Sequence, residues 1–315
     1  MNTLGVDLGG TNIAAGMVDQ TGEIIEKLSR PTESAGGGPG IAEQIIGLCR
    51  ALCAQAAVEP TDLAGVGIAA AGWVDATTGV IRSSANLPFE DFAMAEAVGR
   101  QLGCPVRIDN DANCAALGEW AYGAAKGETD VLLLTVGTGI GAGVIFHGRL
   151  MTGPGVAELG HVVLEMGGEL CGCGRRGCCE AYCSATALIR QATEAAQEDP
   201  AGLLAKVDKM TGKAVFDAAA RGDETARWVL NRYFGYFAEM LMNFINCFRP
   251  RLVLIGGGVA GAEGAFFDPL REKLADVARA NVYGVGMPEI RHAANGNDAG
   301  ILGAAALLTQ REEMR

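Results

Sequence analysis

Two short acidic motifs bracket a run of cysteines in the middle of this chain. Glu158-Leu159-Gly160-His161 is followed by Cys171-Gly172-Cys173-Gly174-Arg175-Arg176-Gly177-Cys178-Cys179-Glu180. Three thiolates and one imidazole, from Cys171, Cys173, Cys178 and His161, make a closed tetrahedral Cys3His site for a structural Zn2+. The intervening glycines allow the tight turns that bring sulfurs together. Of the vicinal pair, Cys178 is taken as the ligand, because the Gly177 turn presents it. A redox dithiol is the alternative, but C-x-C and a vicinal pair lack the usual C-x-x-C form. Glu158 and Glu180 flank the cluster, and a metal would fix their positions. Carboxylates held at fixed places suit a ligand recognised through many hydroxyls, such as a hexose.

A second chemistry lies in the glycines. Asp7 precedes Gly9-Gly10-Thr11-Asn12, and Gly137-Thr138-Gly139 repeats the pattern. Glycines let backbone N–H groups approach phosphate oxygens with no Cβ in the way, and each Thr adds a hydroxyl donor. Asp7 would suit a hydrated Mg2+ better than the phosphate itself. Neither turn is a P-loop, because no Gly-Lys-Ser/Thr follows. Gly256-Gly257-Gly258-Val259-Ala260-Gly261 fits the G-x-G-x-x-G dinucleotide fingerprint. A Rossmann domain needs further βα units after that motif, and only about fifty residues remain. This turn, Gly256 to Gly258, therefore reads as a platform for the adenosine part of a nucleotide, with an NAD-linked oxidoreductase as the rival.

A third candidate is Asp109-Asn110-Asp111-Ala112-Asn113, where a strand runs out and a helix begins. Phosphoryl transfer to a hydroxyl needs a group that accepts the proton and holds the oxygen in line with the phosphorus. A strand-end Asp is suited to that. The competing role is the helix N-cap, which Asp and Asn both favour. Capping needs one of the four polar residues, so the excess favours chemistry.

The elements that must position these groups follow from periodicity. Strands are expected at Thr3–Asp7, Ile13–Val18, Glu23–Leu28, Leu63–Ala70, Val106–Ile108, Val131–Val136 and Arg251–Ile255. Helices are expected over Ile41–Ala56, Phe92–Leu102, Ala115–Trp120, Thr225–Phe248 and Ala299–Leu308, with a Gly/Pro/Ser loop at Thr32–Gly40. Gly10-Thr11-Asn12-Ile13-Ala14-Ala15-Gly16-Met17-Val18 matches Gly137-Thr138-Gly139-Ile140-Gly141-Ala142-Gly143-Val144-Ile145 at an offset of 127 residues. Each copy follows an apolar strand and leads into another β-like run. A duplicated α/β unit, with a nucleotide held between two equivalent strand–turn–strand hairpins, explains this repeat.

The bulk composition agrees. A chain of 315 residues, nearly half hydrophobic and one fifth charged, is ordinary for two globular domains. A net charge of −12 argues against a nucleic-acid surface. No apolar run reaches the roughly 20 residues of a membrane span, and no basic, then apolar, leader is seen at the start. The expected setting is cytoplasmic. Five of the ten cysteines fall within thirteen residues, from Cys171 to Cys183, which favours a metal over a disulfide network.

Taken together, these motifs resemble the ROK family of sugar kinases and related repressors, and within it the bacterial ATP-dependent glucokinases. The resemblance is carried by Asp7-Leu8-Gly9-Gly10-Thr11-Asn12, Asn110-Asp111-Ala112-Asn113, Gly137-Thr138-Gly139-Ile140-Gly141, Glu158-x-Gly160-His161 and Cys171-x-Cys173-Gly174-x-x-Gly177-Cys178-x-Glu180. Gly256-Gly257-Gly258 and the closing Gly303-Ala304-Ala305 helix also fit, so it covers essentially the whole chain. It implies an actin-like, hexokinase-type ATPase fold of the α/β class, with two lobes around a cleft. Residues 1–120 with 300–315 would form one lobe. Residues 121–299 would form the other, with a zinc-binding insertion near 158–180. It implies ATP and Mg2+ as cofactors beside structural zinc, and Asp111 as the catalytic base. It places Gly72, Asn86, Asn110, Glu158, His161 and Glu180 on the sugar, with His161 also on zinc through its other ring nitrogen. The implied reaction is phosphorylation of glucose to glucose 6-phosphate. N-acetylglucosamine, N-acetylmannosamine and fructose are the alternative substrates. A sugar-responsive regulator is the non-enzyme alternative, disfavoured because no DNA-binding segment precedes the first strand. The expected partners are sugar and ATP, with no nucleic acid and no membrane, in a homodimer or homotetramer.

Overall fold

A computed structural model describes residues 1–153, 157–279 and 286–309. The strands are β1 (Thr3–Leu8), β2 (Asn12–Val18), β3 (Ile24–Pro31), β4 (Gly65–Ala70), β5 (Trp73–Asp75), β6 (Val80–Ser83), β7 (Glu90–Phe92), β8 (Val106–Asn110), β9 (Val131–Val136), β10 (Ile140–Phe146), β11 (Arg149–Leu150), β12 (Leu252–Gly256) and β13 (Glu289–His292). The α-helices are α1 (Gly37–Gln55), α2 (Met94–Leu102), α3 (Asp111–Tyr122), α4 (Glu180–Cys183), α5 (Ala185–Glu198), α6 (Gly212–Ala220), α7 (Glu224–Phe248), α8 (Gly264–Arg279) and α9 (Ala299–Ala306).

The chain divides into two compact units. The first comprises Met1–Val131, Gly143–Ala157 and Ala293–Arg315, and the second Leu132–Ala142 and Glu158–His292. The first unit is built on a five-stranded sheet of order β3-β2-β1-β4-β8. Its β1–β2 and β2–β3 pairs are antiparallel, and β1–β4 and β4–β8 are parallel. The second sheet has the order β11-β10-β9-β12-β13, with β10–β11 antiparallel and β12–β13 parallel. The two orders are the same when the strands of each copy are counted from its own first strand. The repeat at offset 127 is thus a repeat of topology, with β2 and β10 each following a glycine–threonine turn.

Alternation along β1 sets the layers of the first unit. Leu4, Val6 and Leu8 are buried among Ile41, Ile45, Cys49 and Leu52 of α1 and Val98 of α2. Gly5 and Asp7 point the other way, toward α9. There the backbones come close. A Cβ on Gly67 of β4 would stand 1.7 Å from the Ala304 carbonyl oxygen, and one on Gly303 would stand 1.6 Å from that of Cys114 in α3. Glycine at these positions lets α9 lie directly on the sheet and on α3. In the second unit α7 is the central helix, and Tyr233, Phe234 and Phe237 are buried in its middle. The Phe237 and Phe266 rings meet edge-on at 5.5 Å, joining α7 to α8.

Several expected boundaries move. α1 starts inside the expected Thr32–Gly40 loop, because Gln44 reaches back to bond both the N–H and the carbonyl of Glu33. Gly38 there is buried, and a Cβ on it would stand 2.7 Å from the Phe92 ring. Phe92 itself ends β7, so the following helix begins at Met94. α3 begins at Asp111, four residues before the expected Ala115. Among the described residues no helix is long and apolar enough to cross a membrane.

Candidate active site and metal centre

Four polar residues at the end of β8 divide their work. Asn110 is the N-cap of α3. Its Oδ1 accepts from the backbone N–H groups of Ala112 and Asn113, at 2.9 and 3.3 Å, and its Nδ2 donates to the Gly72 carbonyl at 3.1 Å. Asp109 is buried and accepts from the Asn110 N–H at 2.7 Å and from Asn113 Nδ2 at 3.0 Å. Burial raises its pKa. Capping and core bonding thus occupy Asp109, Asn110 and Asn113. Asp111 stands exposed in the first turn of α3.

Asp7 lies near the end of β1, against the start of α9. A Cβ on Gly300 would be only 2.6 Å from its carboxyl carbon. The Asp7 pKa is raised to about 6, first by burial, then by the negative charge of Asp111, with Lys27 acting in the opposite sense. Two carboxylates are therefore close enough to influence each other, which makes the spot attractive to a cation. The first glycine turn adjoins them. The Gly9 N–H donates to the Asn12 carbonyl at 3.0 Å, and Thr32 Oγ1 donates to the Gly9 carbonyl at 2.9 Å. Thr11 and Asn12 are exposed, and Gly9 and Gly10 are partly so. Asn86 packs over Gly10, its Cβ 3.0 Å from where a Cβ on that glycine would stand. The first unit thus gathers Asp7, Gly9, Gly10, Thr11, Asn12, Gly72, Asn86, Asn110 and Asp111.

The second unit gathers the rest. Its glycine turn closes with the Gly137 N–H donating to the Gly139 carbonyl at 3.0 Å. A cavity of about 640 Å³ opens beside it, lined by Gly137, Thr138, Gly258 and Val259 and by Lys213, Phe216 and Asp217 of α6. The β12 strand ends at Gly256, which delivers Gly257 and Gly258 to the same neighbourhood. Sequence reading missed the α6 wall. Lys213-x-x-Phe216-Asp217 belongs to no motif, and only the fold carries it to the glycine turns.

The cysteine cluster is assembled as its spacing suggests. The ligand atoms of His161, Cys171, Cys173 and Cys178 all lie within 4.8 Å of one another. Cys171 Sγ is 3.6 Å from His161 Nδ1, and Cys173 Sγ is 3.7 Å from Cys178 Sγ. The Gly177 N–H donates to the Glu169 carbonyl and the Cys171 N–H to that of Arg175, closing the loop between the outer cysteines. These four residues could hold one metal ion. Glu180 stands beside them, its Oε1 accepting from the Cys171 thiol at 3.4 Å and its Oε2 from the Ile140 N–H at 3.0 Å. Glu158 is exposed and leads into the single 3-10 turn Leu159–His161 that carries His161.

Residues 3–311 match the ROK family. This chain belongs to the ROK family. The ROK chain is 37% identical to the glucokinase of Thermotoga maritima, over 99% of its own length and 98% of the relative's. The structure of a ROK hexokinase from Thermus thermophilus superposes with a TM-score of 0.85 at 35% identity, covering the whole of both chains. A ROK family glucokinase from Streptomyces griseus, solved in complex with glucose and AMPPNP, gives a TM-score of 0.82 at 34% identity, over 98% of this ROK chain and all of that one. The fold is the actin-like, hexokinase-type α/β ATPase fold that the sequence motifs implied.

Proposed function

We propose that this ROK protein transfers the γ-phosphoryl group of ATP to the 6-hydroxyl of glucose. One observation carries the reading: the likeness, along essentially the whole of both chains, to a glucokinase whose structure holds glucose and a nucleotide analogue. The residues supply a consistent chemistry. In-line phosphoryl transfer depends on positioning and charge stabilisation, with one group to take the hydroxyl proton. Asp111 is the proposed base. It is exposed at a helix start, and Asp109, Asn110 and Asn113 fix the backbone around it. Gly72, Asn86, Asn110, Glu158, His161 and Glu180 are the proposed sugar contacts. Gly9 to Asn12 and Gly137 to Gly139 are the proposed phosphate contacts, and Gly256 to Gly258 with the neighbouring cavity the adenosine contacts.

Asp7 suits the divalent cation that accompanies ATP. Its carboxylate is held at a raised pKa by burial and by Asp111, and a bound Mg2+ would relieve both causes while neutralising phosphate charge. For the cysteine cluster, tetrahedral zinc with bonds of about 2.3 Å to sulfur and 2.0 Å to nitrogen puts sulfurs about 3.8 Å apart and sulfur about 3.5 Å from nitrogen. The observed Cys173–Cys178 and Cys171–His161 separations are 3.7 and 3.6 Å, so the donor set fits structural zinc. Four protein ligands leave no open position, so this metal would organise its loop and activate no water. Ligation through Nδ1 leaves His161 Nε2 for a sugar hydroxyl. The proposed assembly is a homodimer or homotetramer, and the proposed setting the cytoplasm.

The deciding assay couples ADP release to a spectroscopic readout and compares kcat/KM across sugars. Glucose is expected to exceed N-acetylglucosamine, N-acetylmannosamine and fructose. A higher value for any of those three removes glucose and keeps the kinase. No ADP release with any hexose removes the kinase.

A further inference from the structure

We infer that Glu180 is a positioning residue that ties the Gly137–Ile140 phosphate turn to the Cys3His cluster, so that metal occupancy and nucleotide binding are linked. The inference rests on the kinase and zinc readings above and extends them. A metal-loop carboxylate would be expected to serve the sugar alone, yet this one is built into the turn. Its Oε2 accepts the Ile140 N–H at 3.0 Å. A Cβ on Gly139 would lie 2.2 Å from that same oxygen, so the carboxylate packs directly against the turn. Five residues on, the Ala185 N–H donates to the Gly137 carbonyl at 2.9 Å. Both ends of the turn are therefore fastened to the segment Glu180–Ala185.

That segment is fastened in turn to the cluster. The ligand Cys178 precedes Glu180 by two residues, and the Cys178 carbonyl accepts the Ala181 N–H at 3.0 Å. The Cys183 N–H donates to the Cys179 carbonyl at 2.9 Å, which closes the turn of α4. Cys178, Cys179 and Cys183 are all buried, so this short helix has little room to shift without carrying Glu180 along. Glu180 Oε1 meets the Cys171 thiol at 3.4 Å. A metal-bound sulfur carries no proton. In the loaded protein Oε1 therefore gives up that donor and is open to a sugar hydroxyl, while Oε2 keeps the Ile140 amide. The link to the metal then runs through the chain between Cys178 and Glu180, two residues apart, and not through the Cys171 sulfur. Glu180 in turn fixes a backbone amide next to the phosphate turn. Linkage is reciprocal, so each ligand must strengthen the other's binding by the same factor.

The test follows zinc transfer from the purified protein to a chromophoric chelator, without sugar, in the presence and absence of saturating Mg-AMPPNP. Nucleotide is expected to slow zinc release by about fivefold or more, and zinc-stripped protein to bind AMPPNP more weakly than loaded protein. In Glu180→Ala the nucleotide should no longer change the release rate. A variant that merely loosened the fold would release zinc faster in both conditions and keep the nucleotide effect. If Glu180→Ala fails to fold, the two wild-type rates decide on their own. Equal wild-type rates, or a nucleotide effect that survives Glu180→Ala, overturn the linkage while leaving zinc and kinase intact. Absence of zinc, or failure to bind AMPPNP, overturns the underlying reading and the linkage with it.

Discussion

Burial and the charge of Asp111 together raise the Asp7 pKa, and the two carboxylates are proposed for different tasks. Asp111→Asn keeps the shape of the helix start and removes the proton acceptor. It is expected to leave glucose and AMPPNP affinity intact and to lower kcat by about two to four orders of magnitude. Calorimetric titration beside steady-state kinetics checks both halves, and wild-type turnover would reassign the base. Asp7→Asn should behave differently. The Asp7 pKa rises from 3.8 to about 6 on folding, so the folded state disfavours its charge. That penalty sets in as pH climbs past the unfolded value and is complete above the folded one. It is worth on the order of 2–3 kcal/mol at neutral pH. Asp7→Asn is therefore expected to raise Tm above about pH 6 in chelator-treated buffer, with the gain vanishing below about pH 4, while activity falls. Scanning calorimetry at the two ends of that range decides it.

At the scale of elements, α9 holds β1, β4 and α3 together, because it lies on all three at backbone contact distance. Gly303→Ala places a methyl group 1.6 Å from the Cys114 carbonyl oxygen, and both helices are too tightly packed to yield cheaply. The expected loss is about 2 kcal/mol or more, read as a lower midpoint in urea. An unchanged midpoint would mean that α3 and α9 slide apart freely. The metal loop is the opposite case. Between His161 and Cys179 it has only two isolated β-bridges, Val163–Cys178 and Leu170–Arg176, and Met166 is 95% exposed. Backbone bonds such as Leu164 N–H to the Gly177 carbonyl and Cys179 N–H to the Val162 carbonyl close its turns, but these nineteen residues (161 to 179) bury little apolar surface to set against their chain entropy. Metal ligation by His161, Cys171, Cys173 and Cys178 is the proposed further source of order. One zinc per chain is expected by elemental analysis, and its removal should accelerate amide exchange across this loop and abolish glucose binding. Full activity of a Cys171→Ser, Cys173→Ser double variant would refute the role.

For the molecule as a whole, the duplicated sheet order is a scaffold on which the two copies have diverged. The position equivalent to Asp7 at offset 127 is Leu134, which is buried in β9. The carboxylate pair therefore belongs to the first copy alone, and the cysteine loop grows from the second. Each copy keeps its glycine turn. A ligand that binds only the folded protein stabilises it by mass action, about 2.7 kcal/mol at a hundred times its Kd. Mg-AMPPNP and glucose are each expected to raise Tm as a function of concentration, in separate thermal scans. No shift with nucleotide would contradict the assignment of the glycine turns.

The candidate clusters were legible in the sequence because each is local: the Gly9–Asn12 and Gly137–Gly139 turns and Asn110–Asp111 each span a few residues, and His161 lies 17 positions before Cys178. Most long apolar strands and the helix α7 were legible for the same reason: periodicity is a property of neighbours. The small sheet β5-β6-β7 was not, since strands of three and four residues carry too few alternations to register. The start of α1 was missed because Gln44, seven residues along the helix, supplies the bonds that fix it. Only the tertiary structure decided which of Asp109, Asn110 and Asp111 caps a helix, which is buried and which is exposed. It alone raised the Asp7 pKa, by burying the carboxyl and then by bringing Asp111 from 104 positions away. It alone turned Glu180 from a loop carboxylate into an anchor for an amide 40 positions earlier. Charge, burial and hydrogen-bond occupancy depend on groups far apart in the chain, and no local pattern encodes where those groups will meet.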